Sequence, residues 1–127
     1  EPLDEARLRD RRHLRAMSGR EIFKHAGRSM AQACDEALGR AGLTGDDIDL
    51  MIPHPANIRI SECTAKYAGI PMDKVYVNVD RYGNMSSASI PVALDEALQD
   101  GSLKPGMKVL TATFGAGLTW GSMVWQF

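Results

Sequence analysis

Cysteine is scarce in this chain of 127 residues, which contains only Cys34 and Cys63. Their separation matches no zinc-ligand spacing, and a pair of thiols without a disulfide framework is typical of the reducing cytoplasm. Helical patterns run through both positions, so we predict that both cysteines pack as small hydrophobic side chains. The sequence predicts no metal site and no cysteine nucleophile of its own.

Long apolar runs are also missing. No stretch approaches the roughly 20 residues that span a bilayer, and no signal-peptide pattern opens the chain. The formal net charge of −1 argues against general nucleic-acid binding. Residues 1–28 nevertheless carry eight Lys or Arg against five acidic residues. We predict a cytoplasmic protein with no membrane or nucleic-acid partner but with a local basic patch.

Several common catalytic motifs are absent. The chain has no Gly-x-Ser-x-Gly sequence and no lysine after a phosphate-binding glycine loop. The glycines of residues 115–121 lack the dinucleotide spacing, and a strand-like segment follows them. The first residue is Glu1 and not Met, which is expected of a trimmed product, a subunit or a piece of a longer protein.

With 44% hydrophobic and 24% charged residues, the composition predicts one globular unit. Residues 1–17 form a charge-rich lead-in segment, and residues 18–127 form the domain. The hydrophobic periodicity of that domain predicts the order α-β-α-β-α-β-β, which indicates an α/β fold with a mostly parallel sheet flanked by helices. The predicted elements are a helix from a Ser18 capping box to 41, a strand 48–53, a helix 55–68, a strand 75–79, a helix ending near 99 and strands 108–114 and 118–127.

Three strand-end segments of this pattern carry polar or glycine-rich sequence. His54 follows the first strand between two prolines, Asn84 follows the second, and residues 114–117 follow the third. Because the carboxyl ends of parallel strands meet at one edge of a sheet, these segments are expected to converge. A neutral imidazole, a carboxamide and glycine-turn N–H groups can all donate hydrogen bonds. Such donors stabilise charge developing on oxygen, so we predict acyl or enolate chemistry.

Three motifs lie at these strand ends: His54-Pro55-Ala56-Asn57-Ile58-Arg59-Ile60, Asp80-Arg81-Tyr82-Gly83-Asn84-Met85-Ser86-Ser87-Ala88-Ser89 and Phe114-Gly115-Ala116-Gly117-Leu118-Thr119-Trp120-Gly121. In this order they resemble the C-terminal half of the β-ketoacyl-acyl carrier protein synthase III family. The similarity covers about residues 13–127 and includes the segment 20–24. Members of that family have the thiolase fold of two α/β halves, act as homodimers and condense an acyl-CoA starter with malonyl-acyl carrier protein.

The resemblance implies roles for individual residues of this chain. His54 and Asn84 would bind the malonyl thioester carbonyl and stabilise the enolate formed on loss of CO₂. Around them, the N–H of Ala116 would contribute to an oxyanion hole, Phe114 would line the site and Asn57 would support it. The pantetheine channel would be lined by Gly19, Phe23, Ala56 and Asn57. Lys24 and Arg59 would face the acyl carrier protein.

Three positions depart from the family pattern, which usually has Gln, Thr and Gly where this chain has Pro55, Met85 and Ala116. The acyl-carrying cysteine of the family belongs to its N-terminal half. A longer natural polypeptide or a second chain is therefore expected to supply that half, and this chain alone is expected to be inactive. The substrates would be acyl-CoA and malonyl-acyl carrier protein, with no cofactor.

Two other functions fit the same residues. One is an acyltransferase of this fold that loads polyketide starters or forms esters. The other is a non-catalytic subunit that binds the carrier protein or CoA, although a scaffold has no need for both His54 and Asn84.

Overall fold

The structure, a computed structural model, describes residues 4–10 and 19–127, with the side chains of residues 7 and 19–24 outside the description. The described chain contains five helices and three strands. The helices are α1 (Glu5–Arg9), α2 (Gly19–Ala41), α3 (Ile58–Tyr67), α4 (Val79–Tyr82) and α5 (Ser89–Gln99). The strands are β1 (Leu50–Pro53), β2 (Lys108–Gly115) and β3 (Thr119–Gln126). Short 3-10 turns lie at Gly45–Asp47, Met72–Lys74 and Ser86–Ala88.

The sheet has the strand order β1-β2-β3. β1 is parallel to β2, with Pro53 opposite Ala112. β2 and β3 form the predicted antiparallel hairpin, with Gly115 opposite Thr119. On the other side of β1, Val75 forms a single parallel bridge to Met51. The α/β class, the parallel pairing and the hairpin are therefore confirmed.

Alternate strand residues point to opposite faces of the sheet, and each face has its own core. The face that we call the α2–α3 face buries Met51, Leu110 and Ala112 against α2 and α3. The opposite face, the α5 face, buries Leu50, Ile52 and Val109 against α5. Side chains of this size each contribute about 1.5–3 kcal/mol when buried. The described helices thus lie on both sides of one sheet, as the alternating pattern predicts.

The strand predicted at 75–79 is the main error of the sequence analysis. Only Val75 pairs with the sheet, and the N–H of Tyr76 donates to the carbonyl of Met51 at 2.8 Å. The chain then leaves the sheet, because Asn78 is buried and binds a carboxylate of α5 instead of a strand. From Val79 onward the backbone is helical.

Element boundaries differ from the prediction by a few residues. The helix after β1 begins at Ile58 and not at Pro55, because the side chain of Asn57 accepts the N–H of Ile60 and caps the helix there. The first strand begins at Leu50 and not at 48. The predicted ends of α2 and α3 are confirmed, since Gly42 and Gly69 follow them with a φ of +67°. The Ser18 capping box lies outside the described residues.

No helix in the described ranges is both long enough and apolar enough to cross a bilayer. The lead-in segment contains α1, whose described side chains are exposed. An exposed ion pair between Arg9 and Glu5, at 3.4 Å, joins the two ends of this helix.

Candidate active site

His54 lies at the carboxyl end of β1, between Pro53 and Pro55. Its backbone N–H donates to the carbonyl of Ala112 at 2.7 Å, so the parallel ladder continues into this residue. Its carbonyl accepts the N–H of Ala56 at 2.9 Å. Because each proline ring fixes its own φ, the backbone on both sides of His54 is stiff. The side chain is therefore presented from a rigid strand end.

The imidazole of His54 is buried, with 9% of the residue exposed. Burial lowers its pKa below the ordinary value, because desolvation disfavours the charged ring. No described residue forms a hydrogen bond with either ring nitrogen, and neither nitrogen is fully buried. At neutral pH His54 therefore has one N–H to donate, and no group in the described part of the chain accepts it.

Asn84 lies in the loop between α4 and the 3-10 turn that precedes α5, and it is exposed. Its Oδ1 accepts the backbone N–H of Ser86 at 2.9 Å. This local bond occupies the acceptor end of the carboxamide and orients it. No acceptor for Nδ2 is found among the described residues, so the donor end of Asn84 remains free.

Ser86 and Ser89 fix the loop around Asn84. Ser86 has a φ of +57°, in the left-handed region that a non-glycine residue enters at a cost of about 1–3 kcal/mol. The N–H of Met85 donates to Oγ of Ser89 at 3.0 Å. Ser89 is fully buried at the first position of α5. The strained turn is therefore anchored to the start of that helix.

Ala116 lies in the exposed turn of the β2–β3 hairpin. Its N–H donates to no acceptor among the turn and loop hydrogen bonds of the described residues. Phe114 is half-buried, packs against the core of the α2–α3 face and stacks on Trp120, with 6.5 Å between the ring centroids. The hairpin thus presents a free backbone donor beside an ordered aromatic pair.

The topology places these groups at one edge of the sheet. β1 and β2 are parallel, so His54 and the hairpin turn lie at the same end of the two strands. α5 connects the Val75 bridge to β2 and packs on β1, and a helix in such a crossover runs antiparallel to the strands. Its first residue, Ser89, and the Asn84 loop bonded to it therefore lie at that edge too.

The remaining predicted site residues lie on α2, on α3 or directly before α3. Ala56 is exposed beside His54, and Asn57 caps α3 through its Oδ1. Arg59 is exposed in the first turn of α3, and no ion pair of the described residues includes it. Gly19 lies at the first position of α2. The side chains of Phe23 and Lys24 lie outside the described residues.

The two cysteines are far from acting as nucleophiles. Cys34 is fully buried, and burial raises the pKa of its thiol to about 11. Cys63 is half-buried, with its Sγ close to Gly27 where α3 meets α2. The packing predicted for Cys34 is confirmed. No cluster of potential metal ligands occurs in the part of the chain that the structure describes.

The residues that support Asn84 were not found from the sequence. Asn78, Glu96 and Ser89 hold the surrounding segment, but none belongs to a recognisable motif. The predicted strand 75–79 places Asn78 on a polar face, because it alternates with Val77 and Val79. The available signal is an asparagine among valines, since an amide that is buried with them needs a polar partner.

Comparisons with known proteins identify the family of this chain. A family described as 3-oxoacyl-[acyl-carrier-protein (ACP)] synthase III C terminal matches residues 38–127. The beta-ketoacyl-[acyl-carrier-protein] synthase III of Roseiflexus castenholzii is 56% identical over 108 residues, which are 85% of this chain and 33% of the relative. The chain thus spans about a third of the length of the curated relatives that it matches.

Solved structures extend the likeness to three dimensions. The crystal structure of 3-oxoacyl-[acyl-carrier-protein] synthase III from Aquifex aeolicus superposes with a TM-score of 0.87 and 46% identity, over 88% of this chain and 36% of that one. The priming beta-ketosynthase of the R1128 polyketide biosynthetic pathway gives a TM-score of 0.83 and 34% identity, over 88% and 34%. These superpositions confirm the thiolase-like fold class. The chain therefore belongs to the 3-oxoacyl-[acyl-carrier-protein] synthase III C-terminal family.

Proposed function

We propose that this chain is the C-terminal half of a β-ketoacyl-acyl carrier protein synthase III, which condenses an acyl-CoA starter with malonyl-acyl carrier protein and so initiates fatty acid synthesis. One observation carries the proposal. A neutral, buried imidazole without a partner among the described residues lies at the strand edge where Asn84 presents a free carboxamide donor. Membership of the family supports the same reaction.

In this reaction His54 and Asn84 donate to the thioester carbonyl of the malonyl group. When the bond to the carboxylate breaks, its electron pair moves toward the carbonyl oxygen and CO₂ leaves. The two N–H groups stabilise the resulting enolate oxygen, and each such donor typically contributes about 10²–10³ in rate. The enolate carbon then attacks the acyl thioester, and the thiolate of the acyl-carrying cysteine leaves.

In this proposal the turn of the β2–β3 hairpin binds the acyl group. The free N–H of Ala116 donates to the acyl carbonyl oxygen as the tetrahedral intermediate forms, together with the N–H of the cysteine in the other half. Phe114 lines the space beside that cysteine. Its stacking on Trp120 supports this role, because a stacked ring keeps its position when the intermediate forms.

The carrier-bound substrate would reach this edge through a channel lined by Gly19, Phe23, Ala56 and Asn57. Lys24 and Arg59 would bind the acidic acyl carrier protein at its mouth. The exposure of Arg59 beside Ile58, which is 39% exposed, supports the placement of a docking surface here.

The proposal includes a second α/β half that supplies the cysteine, assembly as a homodimer and a location in the cytoplasm. Acyl-CoA and malonyl-acyl carrier protein are substrates, and no cofactor takes part. Apolar side chains on β3 support the presence of a covering half, since Trp120 and Met123 are 49% and 57% exposed. Without that half the chain is expected to be inactive.

The test measures CO₂ release from malonyl-acyl carrier protein by the complete protein. His54→Ala and Asn84→Ala should each lower the rate about 10²–10³-fold, while acyl loading of the cysteine is retained. His25→Ala is the matched control, because His25 is exposed on α2. Unchanged decarboxylation in both site variants would overturn the proposal and favour a non-catalytic subunit.

A second candidate is an acyltransferase that loads polyketide starters. The likeness to a priming beta-ketosynthase supports it, as do the family departures at Pro55, Met85 and Ala116. An acyltransferase need not decarboxylate malonyl-carrier protein. Acyl transfer in the absence of CO₂ release would therefore favour this second candidate.

A further inference from the structure

The segment that carries Asn84 leaves the sheet early. Its last backbone hydrogen bond to the sheet is from Tyr76 to Met51. From residue 77 to residue 88, the backbone bonds of the described structure are local turns and helix bonds only. We call residues 77–88 the Asn84 segment. Side chains must hold it in place.

One carboxylate of α5 holds the first part of this segment. Oε2 of Glu96 accepts Nδ2 of Asn78 at 2.7 Å, and Oε1 accepts a guanidinium N–H of Arg81 at 3.0 Å. Asn78 is only 1% exposed, so its amide needs an acceptor inside the protein. Both oxygens of Glu96 are thus bonded to the segment that leads to Asn84.

The short helix α4, which lies between the two bonds to Glu96, is not stable on its own. α4 has four residues, which form a single turn, and an isolated helix of that length does not persist in water. Asn78 precedes the first residue of α4, Val79, and Arg81 precedes its last residue, Tyr82. Glu96 therefore bridges the turn from outside and holds it in its helical form.

α5 fixes both ends of the Asn84 segment. Ser89 at its first position binds the N–H of Met85, and Glu96 two turns later binds Asn78 and Arg81. Directly after the anchored Met85, Ser86 has a φ of +57°, which a non-glycine residue rarely adopts, so Asn84 lies next to a backbone conformation that local preference does not favour. Removal of one anchor should let this strained part relax and move the carboxamide.

We propose that Glu96 is a positioning residue that holds the carboxamide of Asn84 at the strand edge through Asn78 and Arg81. The inference rests on the proposed function, because it assigns the effect of Glu96 to a donor role for Asn84. The bond from Asn78 lowers the pKa of Glu96, so the carboxylate stays ionised at neutral pH and both oxygens accept.

The experiment compares decarboxylation of malonyl-acyl carrier protein by variants of the complete protein. Glu96→Ala should lower kcat about 10- to 100-fold with little change in KM, because a small displacement of a positioned group has such effects. Glu96→Gln should recover part of that loss, since its single side-chain oxygen still accepts from Asn78 whereas its NH₂ group cannot accept from Arg81. Asp95→Ala is the control, because it removes an exposed carboxylate of α5 that bonds only to Gln99 in the described structure.

The double variant Asn84→Ala/Glu96→Ala separates positioning from a general loss of structure. If Glu96 acts through Asn84, its removal adds no further loss in the Asn84→Ala background. An equal loss in both backgrounds would overturn the inference, as would a Glu96→Gln variant as impaired as Glu96→Ala. The Gln variant keeps the test valid if Glu96→Ala fails to fold.

Two failures can be told apart in this design. If Asn84→Ala stops decarboxylation but Glu96→Ala behaves like Asp95→Ala, the inference fails and the proposed function stands. If Asn84→Ala leaves decarboxylation unchanged, Asn84 is not a donor and the inference fails. The proposed function fails as well only if His54→Ala also leaves decarboxylation unchanged.

Discussion

The two proposed donors are held in different ways. His54 continues a backbone ladder, because its N–H bonds to Ala112 directly after the last residue of β1. Asn84 lies nine residues beyond Val75, which forms a single bridge to the sheet in the described structure, and side chains of α5 hold its segment. Backbone bonding at His54 needs no particular side chain at its neighbours. The position of Asn84 depends on individual residues.

This difference predicts where each region is vulnerable. The region of His54 should resist substitution except where a new atom meets the backbone itself. The Asn84 segment should respond to loss of single hydroxyl or carboxylate groups. Four measurements on the complete protein test this contrast.

Gly45→Ala should have the largest effect on stability. A Cβ at this position would collide with the carbonyl oxygen of Ala68 and lie 2.8 Å from that of Gly69. The 3-10 turn that leads into β1 would then be displaced from the end of α3. We expect a loss of about 3 kcal/mol in the free energy of unfolding, at the upper end of the usual cost of overpacking.

Denaturant unfolding measures this loss, with Gly39→Ala as the control. Gly39 lies inside α2 with no atom within 4 Å of its added Cβ, so alanine should stabilise the protein by about 0.5–1 kcal/mol. Equal destabilisation by the two substitutions would show that the close approach at Gly45 is not the cause.

Ser89→Ala should loosen the Asn84 segment. The N–H of the half-buried Met85 loses the acceptor that the buried Ser89 supplies, which costs about 1–1.5 kcal/mol. Hydrogen exchange at the amide of Met85 should quicken, and decarboxylation should fall with it. Ser87→Ala, at an exposed neighbour, should change neither. If the amide of Met85 exchanged as slowly in Ser89→Ala as in the unmodified protein, the side chain of Ser89 would not be its anchor.

Asn57→Ala should cost about 1 kcal/mol in the free energy of unfolding, because α3 loses the cap on the N–H of Ile60. Asn57→Ser retains a capping oxygen and should recover most of the loss. Thermal unfolding of both variants measures the difference. If Ser were as destabilising as Ala, the cap would not be the stabilising contact.

The smallest expected effect is on the pH dependence of the decarboxylation rate, which distinguishes the two donors. The pKa of His54 is lowered, so it remains neutral at pH 6.5, its ordinary pKa, and more than about half of the decarboxylation rate should remain there. The pKa of Glu96 is also lowered, so the Asn84 segment stays anchored at still lower pH. An acid limb that lies below pH 6.5 would therefore report on His54.

The free energy of unfolding should also fall as the pH falls. Between the lowered pKa of folded His54 and its ordinary value, the unfolded chain binds more protons than the folded chain. The contribution of His54 to stability is therefore complete above pH 6.5 and is lost as the pH falls through the folded pKa. If the decarboxylation rate were already halved at pH 7, the pKa of His54 would not be lowered, and this would contradict the burial of its ring.

Much of the site could be predicted because it depends on local sequence. The prolines around His54 and the glycines after α2 and α3 act on their own backbone, and the motif order alone indicated the family. The strand at 75–79 could not be excluded in this way. Alternation of Val75, Val77 and Val79 is the same whether the chain continues in the sheet or turns away after one bridge.

The sequence by itself determined the α/β class, the carboxyl-end placement of His54 and the chemical types of the donors. Those features follow from hydrophobic periodicity and from residues that restrict their own dihedral angles. Only the tertiary structure decided that Asn78 and Arg81 share the carboxylate of Glu96 and that Ser89 anchors Met85. The partners Asn78 and Glu96 are far apart in the chain, and a contact of that kind leaves no periodic signal because it forms only when α5 packs on the sheet.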